Sequence, residues 1–362
     1  MKAVQPKVVV AVDPHKKVNA VNVVDDRAEV LAREVFPNTA DGYRQLLCFG
    51  RRWRQRRWAV EGCGGVGRHL AQRLVAQHET VVDVSSRRSS LVRAFATTSG
   101  RKTDDIDAYS VALAALHTPG LQQVTVEGRN ATLRLLAHRR KELVAMRTQA
   151  VCRLHRELLV MLTGGAPRRL SAARAKVLLA GVRPRDEVGR VRKQLALDQL
   201  ADLVRIDARI KEINRQLRDA VKATSTGLPQ LYGVGDVTTA LVLGEVKDIA
   251  RFTNRHHFAS YNGSAPVLRG SGGEAKACVN LSGNRQLNHA LHIAAMAQLR
   301  QPESEGGVYY LRKRAEGKSV KEAIRCLKRR ISDAIYRQLV LDAEAASADP
   351  GGQMGTTTSR PA

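Results

Sequence analysis

The order of strand and helix patterns in this chain of 362 residues predicts an α/β domain followed by a largely helical region. Three apolar strand patterns lie within residues 7–36, and a helical pattern at 39–50 precedes a short strand at Trp58–Glu61. Two long helical patterns follow, at 129–163 and 186–222. Three strands, a helix, a strand and then helices are the element order of a ribonuclease-H-like fold.

The N-terminal strands predict an antiparallel meander. Val8–Asp13 is an apolar run that ends in an acid, and Val18–Val24 follows after a connection of hairpin length. A third strand is predicted over Arg27–Phe36, after the Asp25–Asp26 turn. The later strand also ends in an acid, Glu61.

The two long helical patterns carry narrow apolar stripes with heavily charged flanks, and glycines and prolines separate them. Such a pair predicts a coiled-coil hairpin or a dimerisation arm. Further on, Gly233-Val234-Gly235 lies between two helical patterns and resembles a helix-hairpin-helix, although a plain tight turn explains it equally well. The predicted domains are an α/β domain at 1–125, a helical arm at 126–224, a mainly α domain at 225–342 and a disordered tail at 343–362.

The charge balance predicts a polyanionic partner. Sixty Lys and Arg residues oppose 34 Asp and Glu residues, which gives a net charge of +26 and an isoelectric point near 10.6. The five cysteines are scattered without a C-x-x-C pair, which argues against a disulfide scaffold or a zinc finger and for a reducing cytoplasm. No apolar run has the length of a membrane span, so we expect no membrane association.

Three acids crowd into the four residues from Asp104 to Asp107. Thr103 suits an N-cap, and on the helix that follows Asp104 and Asp107 share a face while Asp105 points away. By themselves these acids are equally well explained by the helix dipole, which favours each by roughly 0.3–1 kcal/mol. The choice depends on whether other acids converge on them.

Asp13 and Glu61 are those other acids. A ribonuclease-H-like fold brings the ends of neighbouring strands and a nearby helix together, so Asp13, Glu61, Asp104 and Asp107 are expected to form one site. Clustered carboxylates repel unless cations neutralise them, and Mg²⁺ prefers oxygen ligands. Two such ions stabilise the attacking and leaving oxygens of phosphoryl transfer. The acids and the basic composition therefore predict a nuclease or a recombinase.

Two other patterns leave alternatives open. Residues 62–67 spell G-x-G-x-x-G after a strand, with Asp83 about twenty residues further on, which outlines a weak dinucleotide fingerprint. The run from Arg51 to Trp58 interleaves five arginines with two tryptophans. It suits stacking on nucleic acid, or else a solvated helix end with Trp58 in the core.

Ser271 lies in the glycine-rich stretch that starts at Arg269, where a hydroxyl can approach a phosphodiester. A plain linker is the alternative, since no His–Asp pair near it completes a hydrolase triad. His289 and His292 have the i, i+3 spacing of metal ligands without a third ligand, and are interpreted as packing or polar-face residues.

Together the chain resembles the insertion-sequence one-ten family of bacterial transposases over nearly its whole length. The resemblance rests on motifs that are weak singly and specific in this order: Val12-Asp13-Pro14-His15-Lys16, Glu61-Gly62, Lys102-Thr103-Asp104-Asp105-Ile106-Asp107-Ala108, Gly233-Val234-Gly235, and Pro266 to Ser271-Gly272 and Gly283-Asn284. It implies a RuvC-like DEDD domain joined to a serine-bearing domain.

The resemblance also implies roles. Asp13, Glu61, Asp104 and Asp107 would be the Mg²⁺-binding tetrad, and Ser271 the nucleophile that forms a transient phosphoserine link to DNA. A structured guide RNA (bridge RNA) would pair with donor and target DNA. The chain would form dimers or tetramers in which the tetrad of one subunit meets the serine of another.

Three positions depart from the family pattern. Gly270 stands where a serine is frequent, and Leu281 and Asn288 stand where basic residues are frequent. They raise the question of how the serine loop holds phosphate in this protein.

The sequence thus predicts a cytoplasmic bacterial DNA transposase or recombinase. Its rivals are a Mg²⁺-dependent junction-resolving nuclease without a covalent serine step, and a non-catalytic nucleic-acid-binding scaffold.

Overall fold

The structure, a computed structural model, describes residues 7–96, 104–270 and 276–348. It divides into two compact units, Met1–Glu127 and Gly128–Ala362, and each is described by itself.

The first unit is built on a mixed sheet of five strands in the order β3-β2-β1-β4-β5. The β1–β2 and β2–β3 pairs are antiparallel, whereas β4 runs parallel to both β1 and β5. The strands are β1 (Val8–Pro14), β2 (Val18–Val24), β3 (Val30–Pro37), β4 (Arg56–Glu61) and β5 (Val81–Val84).

Helices cover both faces of this sheet: α1 (Ala40–Gly50), α2 (Arg68–Ala76), α3 (Ser86–Ala96) and α4 (Asp104–His117). Alternation along β1 decides which face each residue joins. Val8, Val10 and Val12 belong to the core that includes residues of α1 and α2. Val9 and Ala11 belong to the core that includes α4. The α/β prediction and the predicted antiparallel meander are therefore confirmed.

The third strand starts later than its sequence predicts, at Val30 instead of Arg27. The reason is a tight turn, because Asp25 Oδ1 accepts hydrogen bonds from the backbone N–H groups of Arg27 and Glu29 at 3.0 and 2.8 Å. Ala28 adopts a left-handed φ of 66° in the same turn.

The Arg–Trp run is largely structural. Trp58 is fully buried, and its indole N–H donates to Glu79 at 2.8 Å. Arg56 donates two hydrogen bonds to the same carboxylate, at 2.6 and 2.7 Å. Burial disfavours the ionised form of Glu79, but hydrogen bonds from Arg56, Trp58 and Arg51 outweigh it and hold the pKa below its usual value. The placement of Trp58 in the core is thus the alternative that the structure supports.

The second unit begins with a helical hairpin of α5 (Arg129–Met161) and α7 (Glu187–Lys222). The two helices run antiparallel, since Arg140 bonds to Asn214 and Arg147 to Asp207, both at 2.6 Å. Between them, α6 (Ala172–Gly181) starts at a Ser171 cap and packs Ala175 and Leu179 into the core of the hairpin. The sequence predicted the two long helices but not α6. The coiled-coil geometry stays a prediction.

Apart from two single-turn 3-10 helices, the described remainder of the unit comprises five α-helices and a two-stranded hairpin: α8 (Asp236–Val246), α9 (Arg255–Tyr261), β6 (Val267–Arg269), β7 (Lys276–Cys278), α10 (Arg285–Leu299), α11 (Glu305–Ala315) and α12 (Val320–Ala348). Their core also takes in Leu133 and Ala137 from the base of α5. The last helix runs six residues into the predicted tail, and residues 349–362 lie outside the described part of the chain. In the described ranges no helix is long and apolar enough to cross a membrane.

Candidate functional site

Asp13 and Glu61 sit side by side in the register of two parallel strands. The last paired residues of β1 and β4 are Val12 and Val60, and each acid is the next residue along its strand. Asp13 shares the parity of Ala11, and Glu61 shares that of Ala59, so both belong to the face that α4 covers. The parallel pairing therefore brings these two predicted ligands to one end of the sheet.

Asp107 lies in the first turns of α4 and is only 5% exposed. Its helix packs Val111, Ala112 and Ala115 into the core on that same face. Asp104 begins α4, but its side chain lies outside the described part of the structure. Three of the four predicted acids thus belong to one face of the sheet; we call Asp13, Glu61 and Asp107 the acidic edge.

Each acid of the acidic edge has a polar neighbour that sequence reasoning missed. His15 Nε2 lies 3.0 Å from Asp13 Oδ2, and the Ser89 hydroxyl donates to Glu61 Oε2 at 2.9 Å. Arg93 pairs with Asp107. His15 stands two residues from Asp13, within the same motif, which is the one signal that pointed to it. Ser89 and Arg93 lie on α3 and carry no signal in the sequence.

The acids suit a hard cation by chemistry, because carboxylate oxygens are the ligands that Mg²⁺ prefers. Asp13 and Asp107 are buried acids that such an ion would neutralise. Among the described residues, no group of three His, Cys, Asp or Glu side chains stands ready to hold a metal ion. The tetrad therefore remains a prediction.

The glycine-rich turn after Glu61 joins β4 closely to α2. Asp83 Oδ1 accepts a hydrogen bond from the Cys63 N–H at 2.9 Å, so this acid closes the turn. A Cβ on Gly67 would lie 2.3 Å from the Glu61 carbonyl oxygen. Gly67 thus permits a backbone approach right beside Glu61, which explains the glycine without a dinucleotide.

Ser271 lies outside the described residues, in the connection between β6 and β7. The strands on either side of it pair antiparallel, from Val267 with Cys278 to Arg269 with Lys276. The predicted nucleophile therefore lies, in the sequence, between the two strands of a β-hairpin.

A groove of ≈ 830 Å³ opens beside the base of this hairpin, and we call it the basic groove. Its walls come from the segment before β6, from residues 278–281, from α10, α11 and α12, and from the loop between α11 and α12. Of its described lining residues, five are cationic: Arg285, Lys318, Arg325, Lys328 and Arg329. His289 and His292, one helical turn apart on α10, also line this groove.

Comparison with known proteins identifies families and relatives that this chain resembles. A family model described as a transposase, of the DEDD IS110 type, matches residues 10–162. A second, described as the transposase IS116/IS110/IS902 family, matches residues 226–310. An uncharacterised 44.8 kDa protein of insertion element IS116 from Streptomyces clavuligerus is 27% identical over 88% of this chain and 87% of its own length.

Three further matches cover about a third of this chain each. An uncharacterised 43.6 kDa protein of insertion element IS110 from Streptomyces coelicolor is 34% identical over 31% of this chain and 28% of its own length. RuvC of Thermus thermophilus aligns with 32% of this chain and 99% of its own, at 15% identity and a TM-score of 0.27. The same protein bound to a Holliday junction substrate gives the same score over 33% of this chain. At that score the RuvC alignments add nothing to the assignment.

The two family matches define a transposase, a class of enzyme that cuts and rejoins DNA. The chain belongs to the IS110 family of transposases, which confirms the resemblance found in its sequence motifs.

Proposed function

We propose that this transposase cuts and rejoins DNA strands with a Mg²⁺-binding tetrad of Asp13, Glu61, Asp104 and Asp107 and with Ser271 as the nucleophile. The observation that carries the proposal is the acidic edge, in which parallel strands and α4 bring three separate acids to one face of the sheet. Asp13 and Asp107 are buried, and a buried carboxylate favours positive charge nearby, which Arg93 already supplies in part for Asp107.

The four acids would hold the ion through their carboxylate oxygens. When bound, Mg²⁺ supplies positive charge that stabilises the attacking and leaving oxygens of phosphoryl transfer. The register of β1 and β4 and the packing of α4 support this role for Asp13, Glu61 and Asp107. Ser89 holds one oxygen of Glu61, which restricts how this side chain turns.

The covalent step belongs to Ser271. Its hydroxyl oxygen attacks the phosphorus of a DNA phosphodiester and gives up its proton, while the bond from phosphorus to a deoxyribose oxygen breaks and that oxygen gains a proton. A DNA hydroxyl then attacks the phosphoserine, restores the serine and rejoins the strands. One phosphoester bond is exchanged for another in each step, so no external energy source is needed.

The proposed partners are DNA, a structured guide RNA and further copies of the chain. The net charge of +26 supports the two nucleic acids, because cationic side chains neutralise phosphates and release counterions. Guide RNA and a dimer or tetramer rest on the family resemblance. Sequencing the RNA that copurifies with the protein tests whether a guide RNA is bound. If the purified protein carries no RNA of defined sequence, the guide RNA is removed from the proposal.

Trapping a covalent protein–DNA adduct tests the serine. We expect the wild type and a Ser282→Ala control to form the adduct, and Ser271→Ala to form none. Ser282 is an exposed serine close to the same hairpin, so it controls for loss of a hydroxyl. An adduct that survives Ser271→Ala would refute the assignment of the nucleophile.

The tetrad is tested by measuring Mg²⁺-dependent DNA cleavage by the Asp104→Ala variant. We expect cleavage to be abolished while DNA binding is retained. Cleavage without any adduct would favour the junction-resolving nuclease, and binding without cleavage in the wild type would favour the scaffold. Unchanged cleavage by Asp104→Ala would contradict the tetrad.

A further inference from the structure

The basic groove has the charge of an anion-binding site. Glu322 is the one carboxylate among its described lining residues, and it is occupied by the N–H and hydroxyl groups of Ser319, at 2.9 and 2.6 Å. Arg329 shares its charge with Asp333, at 3.3 Å. Hydrogen bonds from Ser319, followed by the charges of Arg325 and Lys318, lower the pKa of Glu322. Five cationic side chains therefore face one carboxylate among the described lining residues.

Lys328 is the cation on the inner wall of the groove. Its ammonium group donates a hydrogen bond to Asn288 Oδ1 across the gap between α12 and α10. The Asn288 amide in turn donates to the backbone carbonyl of Asn262 at 2.9 Å. Asn262 is fully buried and donates to Ser332 at 2.8 Å. The ammonium group is therefore held in a fixed position by a chain of side-chain hydrogen bonds.

Ser264 adds an unsatisfied hydroxyl at the same wall. Its backbone N–H donates to Asn262 Oδ1 at 3.0 Å, which fixes the turn. Its Oγ is buried and has no hydrogen-bond partner in the described part of the chain. A buried polar atom without a partner costs stability, and a ligand oxygen in the groove would complete it.

The pKa shifts of two groove residues, Lys328 and His289, support a site that recognises an anion. Burial lowers the pKa of the Lys328 ammonium group. Burial, followed by the charges of Lys141, His292 and Lys328, lowers the pKa of His289. An anion seated in the groove would relieve both effects, because it offsets the cost of a partly desolvated positive charge.

We propose that the basic groove binds a phosphodiester of the DNA strand, with Lys328 contacting the phosphate and Ser264 donating a hydrogen bond to it. DNA is favoured over RNA because the groove adjoins the strands β6 and β7, between which Ser271 lies in the sequence, so this choice of ligand rests on the proposed function. The exposed apolar side chains of Val279 and Leu281 at the rim suit the sugar and base faces of a strand. Lys328 acts here as a positioning residue.

Equilibrium DNA binding by the full-length protein tests the groove. The probe is a 30-nucleotide single strand and its duplex, measured by fluorescence anisotropy over a series of salt concentrations with a chelator present. We expect Lys328→Met to weaken binding by on the order of tenfold and to reduce the salt slope by about 1. Lys321→Ala, on the exposed part of the same helix, is the matched control and should leave both values unchanged.

Acylation of lysines followed by mass spectrometry gives a second measurement that does not depend on a variant that folds poorly. We expect bound DNA to protect Lys328 from the reagent and to leave Lys321 reactive. Equal reactivity of Lys328 with and without DNA, or unchanged affinity and salt slope in Lys328→Met, would overturn the proposal. If a folded RNA protected Lys328 and DNA did not, the proposal would also be overturned, in favour of an RNA-binding site.

The two proposals fail separately. The chelator stops cleavage, so DNA binding in the groove is measured without the proposed chemistry. A protein that protects Lys328 with DNA but forms no adduct would contradict the serine mechanism and leave the groove in place. Normal adduct formation and normal affinity in Lys328→Met would contradict the groove alone.

Discussion

The acidic edge and the basic groove are assembled in different ways. In the acidic edge the backbone register positions the acids, because Asp13 and Glu61 follow the last paired residues of two adjacent parallel strands and one helix supplies Asp107. In the basic groove, side chains from distant segments meet, as Lys328 on α12 bonds to Asn288 on α10 and Ser264 lies before β6. A site placed by the backbone leaves a signal in the sequence, and a site placed by side-chain packing leaves little.

The largest expected effect is on DNA cleavage, and it distinguishes the proposed metal ligand Asp107 from its neighbour Asp105. Asp107→Asn should reduce Mg²⁺-dependent strand cleavage by about a thousandfold or more, because an ion that stabilises the transition state contributes several kcal/mol. Asp105→Asn is the matched control, since it removes the same charge from the same helix and is expected to keep near-normal rates. Equal losses in the two variants would place Asp107 outside the tetrad.

Glu79, in the same unit as the acidic edge, is an acid with a structural role, so its substitution is expected to change stability. Glu79→Gln should destabilise the protein by about 3 kcal/mol in urea unfolding, because it leaves Arg56 without its buried partner. The folded-state pKa of Glu79 is lowered. The ionised side chain therefore contributes fully above the unfolded-state pKa of about 4.3, and the contribution is lost as the pH falls through the folded-state pKa.

Glu34→Gln, on the exposed part of β3, is the control for Glu79→Gln and should change stability by less than about 0.5 kcal/mol. A Glu79→Gln protein as stable as wild type at neutral pH, or a stability difference that grows on acidification, would contradict the interpretation.

The glycine turn tests how strictly the backbone places Glu61. Gly67→Ala should cost about 1–3 kcal/mol and reduce cleavage, because the new methyl group would meet the Glu61 carbonyl and the side chains of Val60 and Pro14. Gly64→Ala is the matched variant in the same turn, since a Cβ there meets nothing within 4 Å. Similar urea midpoints for the two variants would show that the turn adapts.

The smallest expected effect concerns the side-chain network behind the basic groove. Ser332→Ala should cost about 1 kcal/mol in urea unfolding, because it removes the acceptor of the buried Asn262 amide. Ser347→Ala, exposed near the end of the same helix, should stay within about 0.5 kcal/mol of wild type. If Ser332→Ala leaves both stability and DNA affinity unchanged, the network does not hold the groove wall in place.

The sequence by itself determined the α/β class, the antiparallel meander, the two long helices and the family, since strand alternation, helical spacing and motif order are local properties of the chain. It also indicated Asp13 and Glu61, because strand ends can be read from hydrophobic runs. The partners of these acids on α3, Ser89 and Arg93, depended on how that helix packs. The helix α6 and the internal pairing of Trp58 with Glu79 were likewise decided by burial against distant segments.

Only the tertiary structure revealed the basic groove. In the fold Lys328, 40 residues beyond Asn288, brings an ammonium group to the side chain of Asn288. No spacing rule links two residues on separate helices, because their meeting depends on the packing of α10 against α12. The sequence fixes which groups are available, and long-range packing decides which of them meet.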